Sequence, residues 1–511
     1  MKRASLFCLF LCLSAPLVLS QSKPAPQVNR SEATKFGLAA TPDSATLFAP
    51  AQNLAMFGAY PNASAVGDLN GDGKPDLVVS LMGYDGDQGV VDVFLGNGDG
   101  TFTLKEWYAS GAEDGTSVKL VDLNGDGKLD MVVANCGTDM PGFCPTGTDG
   151  VIAIFLGNGD GSFQAPILYD AGAEAPAQVL VADLNLDGKP DLLLGFLEGG
   201  FGVMLGNGDG TFQPDVVTPG YGSIDVADLN GDGKPDLLLG SLGGPYGSVS
   251  VLLGNGDGTF VFSGSFPLSE QEIDAVASDL DGDGKLDILT LTYNGGKSAH
   301  YVSVLKGNGD GTFQPQVRYP KLATVAQHLA AADLNADGAP DVVVAGFQLH
   351  SGDGQLTVLL GKGNGKLGKA VTYDSGGTGS LSVTIADLNG DGRPDLIAPD
   401  FWTNDVAILL NIGPYPTSAL LTSSLNPSTQ GQAVTFTATV GSAGGAPADG
   451  EIVTFKKGAK VLGKATLRGG TAALTTTKLK VGITAITAEY GGDSNFGRST
   501  SNTVEQVVNK R

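Results

Sequence analysis

The chain has 511 residues, with 54 acidic against 30 basic side chains and a formal net charge of −24. Acidity of that size excludes nucleic acid and anionic lipid as partners. The length exceeds one compact core, so several domains or a repeat array are expected, and no apolar run reaches the ~20 residues of a membrane span.

Residues 1–20 read as a secretory signal: Lys2 and Arg3 are a basic start, Leu6 to Leu13 an apolar centre, and Val18 and Ser20 small residues ahead of cleavage near Gln21. Neither Cys8 nor Cys12 follows the small residue expected before a lipidated cysteine, which points to a released chain. The expected location is secreted, cell-surface or periplasmic. Residues 21–45 are rich in Pro, Ala, Ser and Thr without apolar periodicity, and read as a flexible leader. Two of the four cysteines leave with the signal. Cys136 and Cys144 remain, close together in an exported chain, and a local disulfide is their expected state; no His lies nearby to favour a metal site.

From 46 to 413 one pattern recurs. Asp68-Leu-Asn-Gly-Asp-Gly-Lys-Pro-Asp76 has copies starting at Asp122, Asp183, Asp228, Asp279, Asp333 and Asp387. Each runs into a short apolar stretch, then a variable loop, another alternating stretch, and a Gly-Asn-Gly-Asp-Gly-Thr-Phe type turn. No sustained 3.6-residue period occurs. Four short strands per unit of ~40–60 residues, repeated seven times, predict an all-β fold, a seven-bladed β-propeller. The unit containing Asp387 stops at Asn411 without its fourth strand, whereas Phe48 to Phe57 is a surplus strand at the start. The N-terminal strand is therefore expected to complete the last blade and remove a free edge.

The loops carry oxygen at positions 1, 3, 5 and 9 and Gly at position 6. Hard cations such as Ca²⁺ take six to eight oxygens, and a nine-residue loop supplies most of them. The candidate ligands are Asp68, Asn70, Asp72, the Lys74 carbonyl and Asp76 in the first loop. In the second they are Asp122, Asn124, Asp126, Lys128 and Asp130, and in the third Asp183, Asn185, Asp187, Lys189 and Asp191. The fourth offers Asp228, Asn230, Asp232, Lys234 and Asp236, and the fifth Asp279, Asp281, Asp283, Lys285 and Asp287. The sixth offers Asp333, Asn335, Asp337, Ala339 and Asp341, and the seventh Asp387, Asn389, Asp391, Arg393 and Asp395. Position 12 is apolar (Val79, Val133, Leu194), unlike the Glu of an EF-hand, and the absence of His and Cys argues against zinc. Charge points the same way. Losing Lys2 and Arg3 takes the net charge from −24 to −26, and seven divalent ions would return it to about −12. Up to seven structural Ca²⁺ ions are expected. The Gly-Asn-Gly-Asp-Gly-Thr-Phe turns, as at Gly96 to Phe102, read as hairpins rather than ligands.

After Pro414-Tyr-Pro416 the acidic loops stop. Residues 417–511 are rich in Thr and Ala, with alternating stretches such as Val434 to Val440, and predict a small β-sandwich.

The acidic loops followed by apolar strands and Leu-Gly-Asn-Gly-Asp-Gly-Thr-Phe resemble FG-GAP and VCBS repeats, the units of integrin α-type propellers and of many secreted bacterial proteins. That resemblance covers 46–413 and implies Ca²⁺ between the first and second strands. Leu186, Ala336 and Ala339 depart from the pattern, and Gly361 to Leu367 is a degraded hairpin, with no predicted metal oxygen lost. Asn426-Pro-Ser428, Gly431 to Phe436, Gly450 to Phe455 and Tyr490 to Phe496 resemble a bacterial immunoglobulin-like repeat, commonly a spacer or adhesion module.

The expected function is that of a monomeric recognition or adhesion protein. It binds an extracellular carbohydrate or protein on the face opposite the calcium loops. That face is expected to carry Tyr84, Trp107, Tyr108, Phe143, Phe196, Phe201, Tyr246, Tyr293, Tyr301, Phe347, Phe401 and Trp402, of which half or more pack between blades. His300, His328 and His350 are isolated and no nucleophile motif stands out, so no catalytic residue is assigned. A propeller-based polysaccharide lyase or hydrolase, and a non-binding envelope scaffold, are the alternatives.

Overall fold

The computed structural model describes residues 47–511 apart from 59, 84–87, 113, 137–148, 197–198, 219–222, 242–246, 443 and 494. The signal and leader, Tyr84, Phe143, Cys144 and Tyr246 lie outside the described residues.

No helix occurs among the described residues, and seven sheets of four antiparallel strands follow one another, an arrangement consistent with a propeller. Sheet 1 shows the plan: Pro61–Gly67, Asp76–Leu81, Val90–Gly96 and Phe102–Ala109 pair in chain order. Its second strand is buried at every position, because apolar side chains leave both of its faces and meet a neighbouring sheet on each side. Val78, Val91 and Val93 pack with Met131, Val133 and Phe155 of sheet 2. Leu77, Val79 and Leu81 pack with Ile397, Val406 and Ile408 of sheet 7. The last sheet thus shares an apolar layer with the first.

Sheet 7 takes strands from both ends of the array. Thr384–Ala386, Asp395–Asp400 and Asp405–Leu409 are joined by Gln52–Ala55, which pairs antiparallel along Asp405–Leu409, with a further bridge from Phe48 to Asn411. Side chains close the seam to sheet 1: the Ser64 and Thr384 hydroxyls lie 2.8 Å apart, and Ser382 Oγ donates to the Asn62 carbonyl at 2.7 Å.

The C-terminal module packs a three-stranded sheet (Ser418–Ser423, Val434–Gly441, Thr471–Thr476) against a larger one built on Ile452–Lys457, Gly482–Tyr490 and Val504–Asn509. Phe436, Phe455, Ile486 and Tyr490 fill the core between them, as period-two alternation requires of a sandwich. The module meets the array at the acidic-loop end. Tyr415 N donates to Asn495 O at 2.8 Å, Gly497 N donates to Tyr415 O at 2.7 Å, and the Arg393 guanidinium lies 4.0 Å over the Tyr415 ring.

Candidate functional site

The acidic loops join the first and second strands of each sheet, with the hairpins between third and fourth strands at the same end. Within the first loop, Asp68 accepts the backbone N–H groups of Gly71 (2.8 Å), Asp72 (3.2 Å) and Gly73 (2.8 Å). Asn70 accepts Asp72 N at 2.8 Å, and Asp72 accepts Lys74 N at 2.9 Å. Position 6 has positive φ, +80° at Gly73, which a side chain would strain. Position 4 is also left-handed, and Leu186 and Ala336 adopt φ of 60° and 59° there in place of glycine. The other six loops repeat the bonds to positions 1 and 5. In the fifth loop, oxygens of Asp279, Asp281 and Asp283 lie within 4.8 Å of one another. Lys306 places its ammonium against Asp281 and Asp283, showing that this cluster attracts positive charge. Elsewhere, exposed pairs such as Lys128 with Asp126 at 3.5 Å contribute ~0–1 kcal/mol.

Position 9 differs from the rest. Asp76, Asp130, Asp191, Asp236, Asp287, Asp341 and Asp395 are all fully buried. Asp76 Oδ2 accepts the N–H of Leu69 at 2.9 Å, and its Oδ1 accepts that of Gly96 at 2.8 Å, at the start of the hairpin. The other six repeat the pair, ending with Leu388 N (2.9 Å) and Asn411 N (2.7 Å) on Asp395. Burial pushes these carboxyls up, to about 7 for Asp341 and about 6 for Asp395, against the lowering effect of the N–H donors. The position-2 carbonyl carries the tie onward: Gly161 N of sheet 2 donates to Leu69 O at 3.1 Å, and Gly258 N of sheet 4 to Leu184 O at 3.1 Å. With Gly311 N on Leu229 O and Gly365 N on Leu280 O, both at 3.3 Å, four of the acidic loops are staples between two hairpins as well as oxygen clusters. An oxygen count at fixed spacing could not reveal that second role.

A further seam was missed. Tyr108 Oη accepts Phe163 N of sheet 2 (2.9 Å), Tyr169 Oη accepts Phe212 N (3.1 Å), Tyr319 Oη accepts Leu367 N (3.0 Å), and Tyr373 Oη accepts Leu47 N (3.2 Å). The only signal was a Tyr on the fourth strand of three sheets, and one directly after Val317–Arg318 in a further sheet. At the inner edge, side chains on the first strands bind the next sheet: Leu329 N donates to Asp274 Oδ2 (2.8 Å), and Ile224 N to Gln178 Oε1 (3.3 Å). They border a central cavity of about 290 Å³ that also meets Lys119 and His328. His328 Nε2 is 3.9 Å from Asp274 Oδ2, too far for a hydrogen bond, and burial holds the imidazole below its usual value.

At the opposite end the aromatics divide. Phe196, Phe201, Tyr301 and Phe347 are buried at strand ends, and Tyr108 belongs to the seam, so these are not face residues; the alternation of their strands turns them inward. Trp107 (48 % exposed) stacks on Phe57 (64 % exposed) with centroids 5.6 Å apart. Tyr60 stacks on Phe401 at 4.8 Å, Phe401 meets Trp402 at 6.4 Å, and Trp402 rests edge-on against Phe347 at 4.9 Å. Phe57 and Tyr60, close in sequence, contribute one ring to each group. Cys136 is buried at the end of its strand, and its expected partner falls outside the described residues.

The model of the FG-GAP-like repeat matches at residues 68–133, 143–194, 183–239, 228–290, 279–344 and 333–398, more than half of the chain. The chain belongs to the FG-GAP-like repeat family. A bacterial Ig-like domain (group 3) matches 421–509 of this FG-GAP-like protein. Neither family is catalytic. No curated protein matches the chain. Among solved structures, one titled "Crystal structure of BBS1N in complex with ARL6DN, soaked with lead" is 12 % identical, with a TM-score of 0.46, covering 71 % of this chain and 98 % of that one.

One buried acid outside the loops yields a pH prediction. Glu272 is fully buried, with Oε1 accepting Ser223 Oγ at 2.6 Å and Oε2 without a partner among the described residues. Burial pushes its carboxyl from 4.5 up to about 8. Its stabilising effect is thus fully present below pH 4.5 and lost as pH rises to about 8, because only the unfolded chain ionises in that window. Glu272→Gln should match the parent's stability near pH 4.5 and exceed it by ~2–4 kcal/mol at pH 8. Urea unfolding at both pH values checks this, and a difference independent of pH would rule it out.

Proposed function

We propose that the seven sheets form a closed seven-bladed propeller, that Ca²⁺ occupies the acidic loops as a structural ion, and that the protein is a secreted or cell-surface recognition protein. Its ligand, a carbohydrate or protein, binds at the end opposite the loops. Closure is supported by the Gln52–Ala55 pairing and by the apolar layer between sheets 7 and 1. The calcium reading is supported by the convergence of Asp279, Asp281 and Asp283 in the fifth loop, and by the Lys306 ammonium drawn to it. When bound, the ion neutralises these carboxylates; the chain's own residues bend the loop and hold its two hairpins. The family matches fit an extracellular recognition or scaffold role.

The observation that carries the ligand face is the aromatic strip, where Trp107 and Trp402 stay 48 % and 40 % exposed. Rings of this size are usually withdrawn from water unless a partner covers them, and flat aromatic faces suit sugar rings and peptide side chains alike. A glycan array with the full chain in calcium, repeated with Trp107→Ala/Trp402→Ala, tests it. Binding that falls at least ~10-fold in the double variant supports this face; binding that ignores both substitutions removes it.

A second reading, a rigid spacer in an envelope assembly, is favoured by the Arg393–Tyr415 contact that seats the Ig-like module on the array.

A further inference from the structure

We infer that Lys306 is a tethered counter-ion of the fifth acidic loop, which lets this loop keep its shape without Ca²⁺ and makes it the last of the seven to take up the ion. This rests on the calcium reading and deepens it.

Two residues set the fifth loop apart, and they are matched in charge. Position 3 is Asn in six loops and Asp281 in the fifth. The residue just before the hairpin is Leu in six sheets, from Leu95 to Leu410, and Lys306 in sheet 5. The added ammonium and the added carboxylate meet: Lys306 Nζ pairs with Asp281 Oδ2 and lies 3.5 Å from Asp283 Oδ2. The Asp281 side chain is only 10 % exposed, against 38 % for Asp126 in its pair with Lys128, so water screens the fifth-loop pair far less.

The packing changes in step. A Cβ added to the hairpin glycines Gly161 or Gly210 would lie 2.7 or 2.6 Å from Leu95 or Leu156 of the preceding sheet. At the equivalent Gly365 the nearest atoms are instead those of Asp281, at 3.8 Å. Leucine thus fills the space under the next hairpin, whereas lysine leaves that contact for the loop. The hairpin of sheet 6 adds to the effect. It is tied to the fifth loop by Gly365 N on Leu280 O at 3.3 Å, and carries exposed Lys362, Asn364 and Lys366. Sheet 5 has Asn308, Asp310 and Thr312 in those places. Two lysines and no acid give +2, where one aspartate gives −1, and this positive charge falls beside the fifth loop. Calcium affinity follows the ligand charge free to meet the ion, so a loop whose added carboxylate is already paired binds it less tightly.

The test compares the full chain with Lys306→Leu, the residue six sheets carry, and with Lys306→Arg, which keeps the charge. Native mass spectrometry across a calcium titration counts the ions bound. Hydrogen exchange in chelator reads the loop itself, where the Gly282, Asp283 and Gly284 N–H groups are bonded to Asp279. In Lys306→Leu the last ion should bind at ~10-fold lower calcium. Exchange of Asp279 to Asp287 in chelator should quicken ~10-fold or more, with the other loops unchanged. Lys306→Arg should behave as the parent does. Unchanged or weaker uptake together with unchanged exchange in Lys306→Leu overturns the counter-ion role. An arginine variant that behaves like the leucine one assigns the effect to packing and overturns it as well. If the parent takes up no calcium, the calcium reading fails; quicker exchange confined to this loop in Lys306→Leu then still supports Lys306 as its counter-ion.

Discussion

Chelation should lower the melting temperature of the array by ~10 °C or more. An ion bound only by the folded state adds ~2.7 kcal/mol at a free concentration a hundredfold above its Kd, and several such sites act together. Removal also exposes repulsion among carboxylates that lie within 4.8 Å of one another, as at Asp279, Asp281 and Asp283. The Ig-like module carries none of these loops and should respond little. Calorimetry in calcium and in chelator checks both parts, and superimposable melting curves would end the structural-calcium proposal.

The acidic loops were legible because their chemistry is local: four oxygens and a glycine within nine residues define one turn, whatever surrounds it. The fourth strand of sheet 7 was legible by subtraction, since the last unit lacked a strand and the first had one over. What stayed hidden is non-local. Gly96 lies 20 residues beyond Asp76, and Phe163 lies 55 beyond Tyr108; each is bound through its backbone N–H, which leaves no mark on its residue type. The aromatics were over-read for the same reason. Trp107 and Tyr108 are adjacent on one strand, yet pleating sends the first outward to Phe57 and the second inward to Phe155 and Phe163. Two residues of the acidic loops, Ala336 and Arg393, gain a context from the fold. An added Cβ at Gly497 of the Ig-like module would lie 2.4 Å from Ala336 O, and Arg393 reaches Gly413 O at 2.9 Å. Ala336 of the sixth loop lies against the second module, and Arg393 of the seventh against the segment that leads into it.

The staple role of position 9 separates two kinds of carboxylate that the motif presents as equivalent. Asp72 is exposed, and its one internal bond, to Lys74 N at 2.9 Å, survives in an amide that keeps its carbonyl oxygen. Asp72→Asn should therefore change little in chelator, within ~0.5 kcal/mol, and should act only in calcium, where one ligand charge is lost. Asp76 is fully buried and accepts two backbone N–H groups on different oxygens. Asn at that site accepts only one; its amide N–H group then faces the other donor across a distance set for a hydrogen bond. Asp76→Asn should cost ~2–5 kcal/mol with calcium or without it, since a buried N–H is left unpaired and a charged acceptor is gone. Urea unfolding of both variants in calcium and in chelator gives four midpoints. A loss for Asp76→Asn that vanishes in chelator would mean position 9 acts through the ion alone. An equal loss for Asp72→Asn in chelator would mean that the exposed positions are also structural in their own right.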